Sequence, residues 1–503
     1  MEQALSLLAS LAETHPEIRA QLGEVSQWFK LLLDQNAFLK QKIFGATQSE
    51  KIDPNQLLLM LGGLEAPESE EEDVPEPEPA ATTKPRAKRK SRAMRLPANI
   101  EEVREVIIPE EVKADPDAWE HIGSEERTEL EVTQPKYTKR VIERRKYVRK
   151  ASRHLPPVIV PAKPVLIPNS YASVSLLVYV LVSKYMDYLP LYRQQQMFLR
   201  QGIEISRKTM SDWMMAVGNW LSVIYDEMIH ELRQSGYLQV DETPVGYLKP
   251  GTGHAPKGYL WTYHAPGVAV VYDWHPSRSA ACMDGVLSGY TGVVQCDGYS
   301  AYGAFAKQPE AAGVDWLGCW AHARRKFDEA KEDSVYAKWM LRQIQLLYAV
   351  ESRVASLSPV LREAARASES RMILDRIFRS LKTQMPLHLP KGPTGKAIAY
   401  TLPRREELSG YLTRGECRID NNGVENAIRP TAIGKKNHLF FGSKEAGKQN
   451  AVIYSVVETC KKLGINPSEY LTDVLSQLPE LTNHQARELT PAKWLASRQG
   501  KAA

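Results

Sequence analysis

Between Leu64 and Pro97 the chain segregates its charge. Eight acids and no bases fall from Glu65 to Glu78, interleaved with prolines, and seven bases follow from Lys84 to Arg95. Such a stretch cannot bury enough apolar surface to offset the entropy of ordering it, so it stays solvated. The chain therefore cannot close around one core, and a linker at 64–97 divides it. With 503 residues and roughly 100–200 residues per domain, about three folded units are expected.

Ahead of the linker, Leu5, Leu8, Leu11, Ile18, Leu22, Trp28, Leu31, Leu32 and Leu39 recur near helical spacing, interrupted by Pro16. Residues 1–63 are thus expected to be helical; an irregular leucine zipper and a locally packed amphipathic helix both fit the pattern. The net charge is 65 − 60 = +5, too small by itself to identify a nucleic-acid binder. Five cysteines form no Cys-x-x-Cys pair, which argues against a disulfide-framed secreted protein and a four-cysteine zinc ribbon. Glu2 with no basic leader, and no apolar run longer than the one around 174–182, predict a soluble intracellular chain without a membrane span.

Two further segments suggest DNA. Lys136–Arg153 holds nine bases and one acid, with apolar residues between the cations. That pattern predicts a strand pair with one cationic face, carrying Arg144, Arg145 and Lys146 toward phosphates; a merely solvated face is the alternative. From 161 to 235 the pattern is helical. A helix over Leu191–Arg200, a turn at Gly202 and a second helix from an N-cap at Ser206 through Trp213 predict a helix–turn–helix. Arg207 and Lys208 stand early on its second helix, where a recognition helix meets bases, although a bundle that binds nothing would carry the same turn.

After Gly236 the period changes to that of strands. YLQVDETPVGYL, GYLWTYHA and VAVVYDWH read as an antiparallel set, and TGVVQCDG as a further strand. Helical sequence over 330–411 looks like an insertion, sheet-type sequence does not return after it, and 446–503 is again helical. The fold class is multi-domain α/β, with a mixed-sheet domain over 236–329 and 412–445.

Three acids stand out. Alternation places Leu238, Val240 and Glu242 on one face of the first strand and Gln239, Asp241 and Thr243 on the other, so Asp241 and Glu242 cannot share a site. Asp297 precedes Gly298, where the backbone can turn sharply. In IDNNGVENAIRP, Asn422 is expected to cap a short helix that Pro430 ends, with Glu425 at capping-box spacing. A structural Glu425 would cap, or pair with Arg429; the cations Arg429, Lys435, Lys436 and His438 around it favour a polyphosphate and metal site instead. Three such acids could hold two Mg²⁺ ions, which take oxygen ligands, for in-line phosphoryl transfer. Asp420 is the alternative to Glu425. Cys319 and His322 resemble half a zinc site, but Cys319 and Trp320 packed on a buried strand is the preferred reading.

The chain closely resembles a DDE transposase of the insertion sequence 66 family, the large TnpC-type protein. The matching segments, in order, are LKQKIFGATQSEK, LVSKYMDYLPLYRQQQMFLRQGIEISRKTMSDW, DETPV, CDGYSAYG, GCWAHARRKF, DNNGVENAIRPTAIGKKNHLFFGS and GINPSEYLTDVL. The resemblance implies an RNase H-like catalytic domain interrupted by a helical insertion, with Asp241, Asp297 and Glu425 as catalytic and metal-binding acids. It further implies that His322 orients the scissile phosphate and that Arg324 and Arg325 hold the backbone. Family members carry a cysteine-paired zinc segment where residues 98–160 here have no cysteine, so a degenerate basic β module without zinc is expected. The function implied is binding of inverted-repeat ends, Mg²⁺-dependent 3′ cleavage (Mn²⁺ substituting) and strand transfer into target DNA. A homo-oligomeric synaptic complex, small accessory proteins of the same element and a bacterial cytoplasmic, nucleoid-associated location go with it. Two alternatives stay open: a DNA-binding repressor or domesticated protein that does not cut, and a two-metal structure-specific nuclease.

Overall fold

The computed structural model describes residues 137–145 and 161–502, apart from 252 and 333. The expected N-terminal helices, the charged linker, Lys146 and most of the 98–160 segment lie outside the described residues. Residues 137–145 fall in a unit separate from 162–502. They form no strand and are largely exposed, with Arg145 Nε on Glu143 Oε1 at 3.1 Å. The described part of the expected strand pair is thus not strand, and the rest of it lies outside the described residues.

In the larger unit, α1 (Val174–Tyr185) and α2 (Leu191–Arg200) lead to α3 (Arg207–Arg233). Ser206 caps α3, its Oγ accepting from Thr209 N at 3.0 Å. The turn before it contains Gly202 at φ +74°, where a glycine carries no penalty. The second helix continues far beyond Trp213. Met210, Met214, Val217, Leu221, Ile224, Met228 and Leu232 form a buried stripe along it at helical spacing.

That stripe packs against a mixed sheet. Strands β1 (Tyr237–Tyr247), β2 (Lys257–Ala265) and β3 (Ala269–His275) are antiparallel neighbours. After the short helix α4 (Asp284–Leu287), β4 (Gly292–Gln295) lies parallel to β1; α5 (Ser300–Phe305) then leads to β5 (Val314–Leu317), parallel to β4. The order across the sheet is β3-β2-β1-β4-β5. Past β5, the chain enters α6 (Trp320–Asp328) and a helical stretch: α7 (Val335–Val354), α8 (Pro359–Ala365), α9 (Arg371–Gln384), α10 (Pro393–Thr401) and α11 (Arg405–Ser409). Leu317, Trp320, Phe327, Ile344, Leu347, Phe378 and Ile398 share one buried cluster, so the core of this stretch is continuous with the sheet. Fully buried Arg366 clamps it, pairing with Glu351 at 2.6 Å and donating to the carbonyls of Tyr411, Arg414 and Cys417.

The chain returns through α12 (Asn422–His438), β6 (Phe440–Phe441), α13 (Lys444–Lys462), α14 (Pro467–Gln477), α15 (Asn483–Ala486) and α16 (Pro491–Ala502). Strand sequence does return, contrary to expectation: β6 pairs in parallel with Gly246 and Tyr247. Two residues are too few for period 2 to reveal a strand. Helix α13 covers the edge strand β3. Thr459 Oγ1 accepts from Val270 N at 2.9 Å and Ser455 Oγ from Tyr272 N at 2.8 Å, which satisfies edge donors that could otherwise recruit another chain. Among the described residues no helix is long and apolar enough to cross a membrane.

Candidate active site

Helix α12 lies across one face of β1. Gln239 Nε2 donates to the Asp420 carbonyl at 2.8 Å, and Lys435 Nζ reaches Thr243 Oγ1 at 3.1 Å and the Pro244 carbonyl at 3.0 Å. Gly423 permits the approach, since a Cβ there would collide with Gln239 Oε1 and come within 2.9 Å of His264 Nδ1. Asp241, between Gln239 and Thr243 on that face, is thereby turned toward the helix that carries Glu425. Glu242 points the opposite way. Its buried carboxylate is held by Arg278, at 2.8 Å from Nε, and by the Tyr302 hydroxyl at 2.5 Å.

Asp297 lies two residues beyond β4, and its Oδ1 accepts from Tyr299 N at 2.8 Å. Gly298 follows at φ +78°. The Tyr400 hydroxyl donates to the Asp297 carbonyl and Arg404 Nη2 to that of Gly298 at 3.1 Å, so α10 and the turn after it grip this corner.

Glu425 stands in the first turn of α12. The N-cap is Asn421, not Asn422, and no side chain caps the helix. Pro430 lies inside the helix and does not end it. In the turn it loosens, hydroxyl donors reach backbone carbonyls: Tyr272 to Ala427 at 2.5 Å and Thr431 to Ile428 at 2.7 Å. Glu425 does not pair with Arg429. Its Oε1 faces His322 Nε2 at 3.6 Å and Arg325 Nη2 at 3.7 Å, both on α6, and is buried without a hydrogen bond.

These groups feel one another's charge. Burial pushes the Asp241 carboxyl up to about 8, and the charges of Glu242, Asp297 and Glu425 add to it, against the Glu242 N–H that favours the anion. Burial lowers His322, opposed by the carboxylates of Asp297 and Glu425. Asp241, Asp297, Glu425 and His322 therefore form one electrostatic cluster. Arg324 and Arg325 are exposed beside it, on a cleft of about 530 Å³ that Ala321, Asp328, Gln345, Tyr348 and Asn422 also line.

The other expected residues are placed differently. Arg429 and Lys436 are exposed, Lys435 is spent on β1, and His438 sits at the far end of α12. Asp420 is occupied, accepting from the Tyr348 hydroxyl and from Asn422 Nδ2, each at 2.8 Å. Cys319 and Trp320 are not on a strand; Cys319 caps α6, with its buried Sγ 3.4 Å from Asn421 N. Arg207 and Lys208 are exposed on the first turn of α3, where Lys208 pairs with Asp212 at 3.5 Å. Missed from sequence were Arg278, Tyr302, Tyr348, Tyr400 and Arg404. Of these, Tyr302 lay within CDGYSAYG, a segment already singled out.

The donor chemistry suits a hard divalent cation: oxygen ligands, mutually repelling carboxylates and an orphaned Glu425 oxygen. Among the described residues, however, no three His, Cys, Asp or Glu side chains stand close enough together to hold an ion. The acids are near enough to repel without being drawn together.

The family model described as "Transposase IS66 family" matches residues 169–449, "IS66 C-terminal element" matches 455–492, and "Transposase C of IS166 homeodomain" matches 31–104, outside the described residues. An uncharacterized protein of Sinorhizobium fredii, y4qI, is 34% identical over 406 residues, covering 76% of this chain and 74% of its own. A second from that organism, y4jD, is 28% identical over 504 residues, covering 95% and 98%.

Proposed function

The chain belongs to the IS66 transposase family, and from that premise we propose that it is a DNA transposase whose catalytic acids are Asp241, Asp297 and Glu425. The observation that carries the proposal is that the three acids, from β1, beyond the end of β4 and the start of α12, come within electrostatic reach of one another beside His322, whose Nε2 faces Glu425 Oε1 at 3.6 Å. The strand order, with three antiparallel strands followed by two parallel ones, supports an RNase H-like fold for this domain.

The family implies dependence on a divalent cation, and the three carboxylates would hold it, as magnesium in two positions. When bound, such ions activate the attacking oxygen and stabilise the leaving 3′-oxygen of the scissile phosphate. The rest falls to the chain. His322 orients the phosphate from α6, and Arg324 and Arg325 hold the backbone along the cleft. Glu242, tied to Arg278 and Tyr302, stays out of the chemistry and adds negative charge behind Asp241. Upstream, α2 and α3 serve as a helix–turn–helix reading the inverted-repeat end through Arg207 and Lys208, while Arg144, Arg145 and Lys146 add phosphate contacts. The reaction takes place in a homo-oligomeric synaptic complex on bacterial DNA.

The test is incubation with Mg²⁺ and labelled candidate element ends, scoring both nicking and joining. Nicking with joining is expected. Nicking alone would make the protein a nuclease, and specific binding with neither would make it a repressor.

A further inference from the structure

The parallel ladder between β1 and β4 stops short of the acids. Its last register pair is Gln239 with Gln295, and Asp241 and Asp297 each lie two residues further along. Continued, the register would set the two aspartates side by side, but the ladder does not reach them. Each carboxylate is instead held by a backbone donor close in sequence. Asp241 Oδ1 accepts from Glu242 N at 2.8 Å, and Asp297 Oδ1 from Tyr299 N at 2.8 Å.

The side chains of those two donor residues meet on one guanidinium. Arg278 follows β3; its Nε donates to Glu242 Oε1 at 2.8 Å, and its Nη2 donates to the same oxygen. Its Cζ lies over the Tyr299 ring, 3.6 Å from the centroid. The other Glu242 oxygen accepts from the Tyr302 hydroxyl at 2.5 Å, on the helix that follows Tyr299. The Glu242 side chain is wholly buried, so its charge requires these partners. Arginine suits both contacts, pairing a carboxylate along its edge while its face stacks on a ring; a lysine ammonium offers a single point of charge. A salt bridge that served the core alone would need the edge contact and not the ring.

We infer that Arg278 is a positioning residue, a clip behind the sheet that fixes the separation of Asp241 and Asp297 through Glu242 and Tyr299. It takes over where the ladder ends, and it touches neither substrate nor the reacting atoms. With Oδ1 of each aspartate held by a backbone N–H, the clip sets how far apart the Oδ2 atoms stand. The inference rests on the transposase reading in one respect, that the two aspartates serve a common cation.

Mn²⁺ binding to the full chain without DNA tests it, read from the free-ion signal in electron paramagnetic resonance. Wild type should bind saturably, and Asp241→Asn, which marks the site, should not. Arg278→Lys keeps a cation beside Glu242 but gives up the stack. Tyr299→Leu gives up the ring and leaves the Arg278–Glu242 pair intact. Both should need about tenfold more Mn²⁺, within the roughly 10–100-fold that loss of a group behind a ligand costs in metal affinity. Tyr299→Phe, which keeps the ring, should bind as wild type does. Melting temperatures in chelator report the fold separately, and if Arg278→Lys does not fold, Tyr299→Leu decides alone. Wild-type affinity in the folded variants, whatever their melting temperatures, would reduce Arg278 to a structural ion pair and sink the inference. Equal weakening in Tyr299→Phe would also count against it, since the ring would not be the contact that matters. No saturable binding in the wild type would instead strike the shared cation of the transposase reading, and the inference with it, so the two failures are told apart.

Discussion

Tyr348, on α7, donates its hydroxyl to Asp420 Oδ2 at 2.8 Å across 72 residues of chain. The same carboxylate accepts from Asn422 N at 3.2 Å and Asn422 Nδ2 at 2.8 Å, and the Asp420 carbonyl accepts from Gln239. The inserted helix, the central strand and the first turn of α12 thus meet at one buried acid, five residues before Glu425. Tyr400 and Arg404 hold the Asp297 turn in the same manner. The inserted helices thus brace the Asp297 turn and the approach to Glu425, two of the three acids proposed as catalytic.

Tyr348→Phe removes that bond and little else. A hydrogen bond to a charged group contributes about 1.5–3 kcal/mol, so Glu425 should lose its fixed placement and nicking of a labelled end should fall about tenfold or more. DNA affinity should be unchanged. A wild-type nicking rate would show that the inserted helices do not position Glu425.

Asp241→Asn, Asp297→Asn and Glu425→Gln should each abolish cleavage and leave end binding nearly intact, because each removes charge needed to hold the cation. Asp241→Asn should also melt at a higher temperature than wild type in chelator, since it removes a carboxyl whose ionisation is disfavoured first by burial and then by the neighbouring carboxylates, and should lose the stabilisation that Mg²⁺ gives the wild type. Normal cutting by any one variant removes that residue from the site, and Asp420 could not replace Glu425 while bound to Tyr348.

Buried His264 gives the fold a pH dependence. Burial, with the charges of Lys462 and Arg418, holds its imidazole down to about 4, against about 6.5 in an unfolded chain. Between those values the unfolded chain binds the extra proton, so stability is fully present above about pH 6.5 and declines toward pH 4, by up to about 3 kcal/mol. Denaturant unfolding of His264→Gln between pH 4 and 7 should show a flatter profile than wild type. Parallel profiles would place the acid sensitivity elsewhere.

Salt dependence separates the basic segments. Each phosphate neutralised adds about 0.9 to the log–log slope on duplex DNA, so replacing Arg144, Arg145 and Lys146 with Ala should weaken cognate and scrambled duplexes alike and flatten the slope by up to ~3. Loss of Arg207 or Lys208 should cost about 1–3 kcal/mol on the cognate end and less on random DNA. Uniform loss at those two would make the helix pair a phosphate clamp, and no loss would make it scaffold.

Local patterns carried much of this into the sequence. Alternation through LQVDETPV separates Asp241 from Glu242, and in the sheet they face opposite layers. Gly202 and Ser206 mark the turn between two helices and the cap of the second. Failures came where tertiary contacts outweigh local preference. Pro430 reads as a stop, yet the helix continues with hydroxyl donors at its loosened turn. The cations after Glu425 read as one cluster, but a helix sends side chains to different faces and 13 residues carry His438 to the opposite end. Tyr348 had no local signal, its partner being 72 residues away.

Gly423 has a consequence for how copies of such a gene decay. Every base change at the first or second position of a glycine codon yields either a residue with a Cβ or a stop, and here a Cβ runs into Gln239. A missense lesion at this codon must displace the Gln239 and His264 side chains or shift the start of α12, which carries Glu425, while the exposed Arg207 and Lys208 are untouched. On the proposed transposase reading, such a copy would encode a chain that still binds the element's ends but no longer cuts them, and so competes with the intact protein for its own sites.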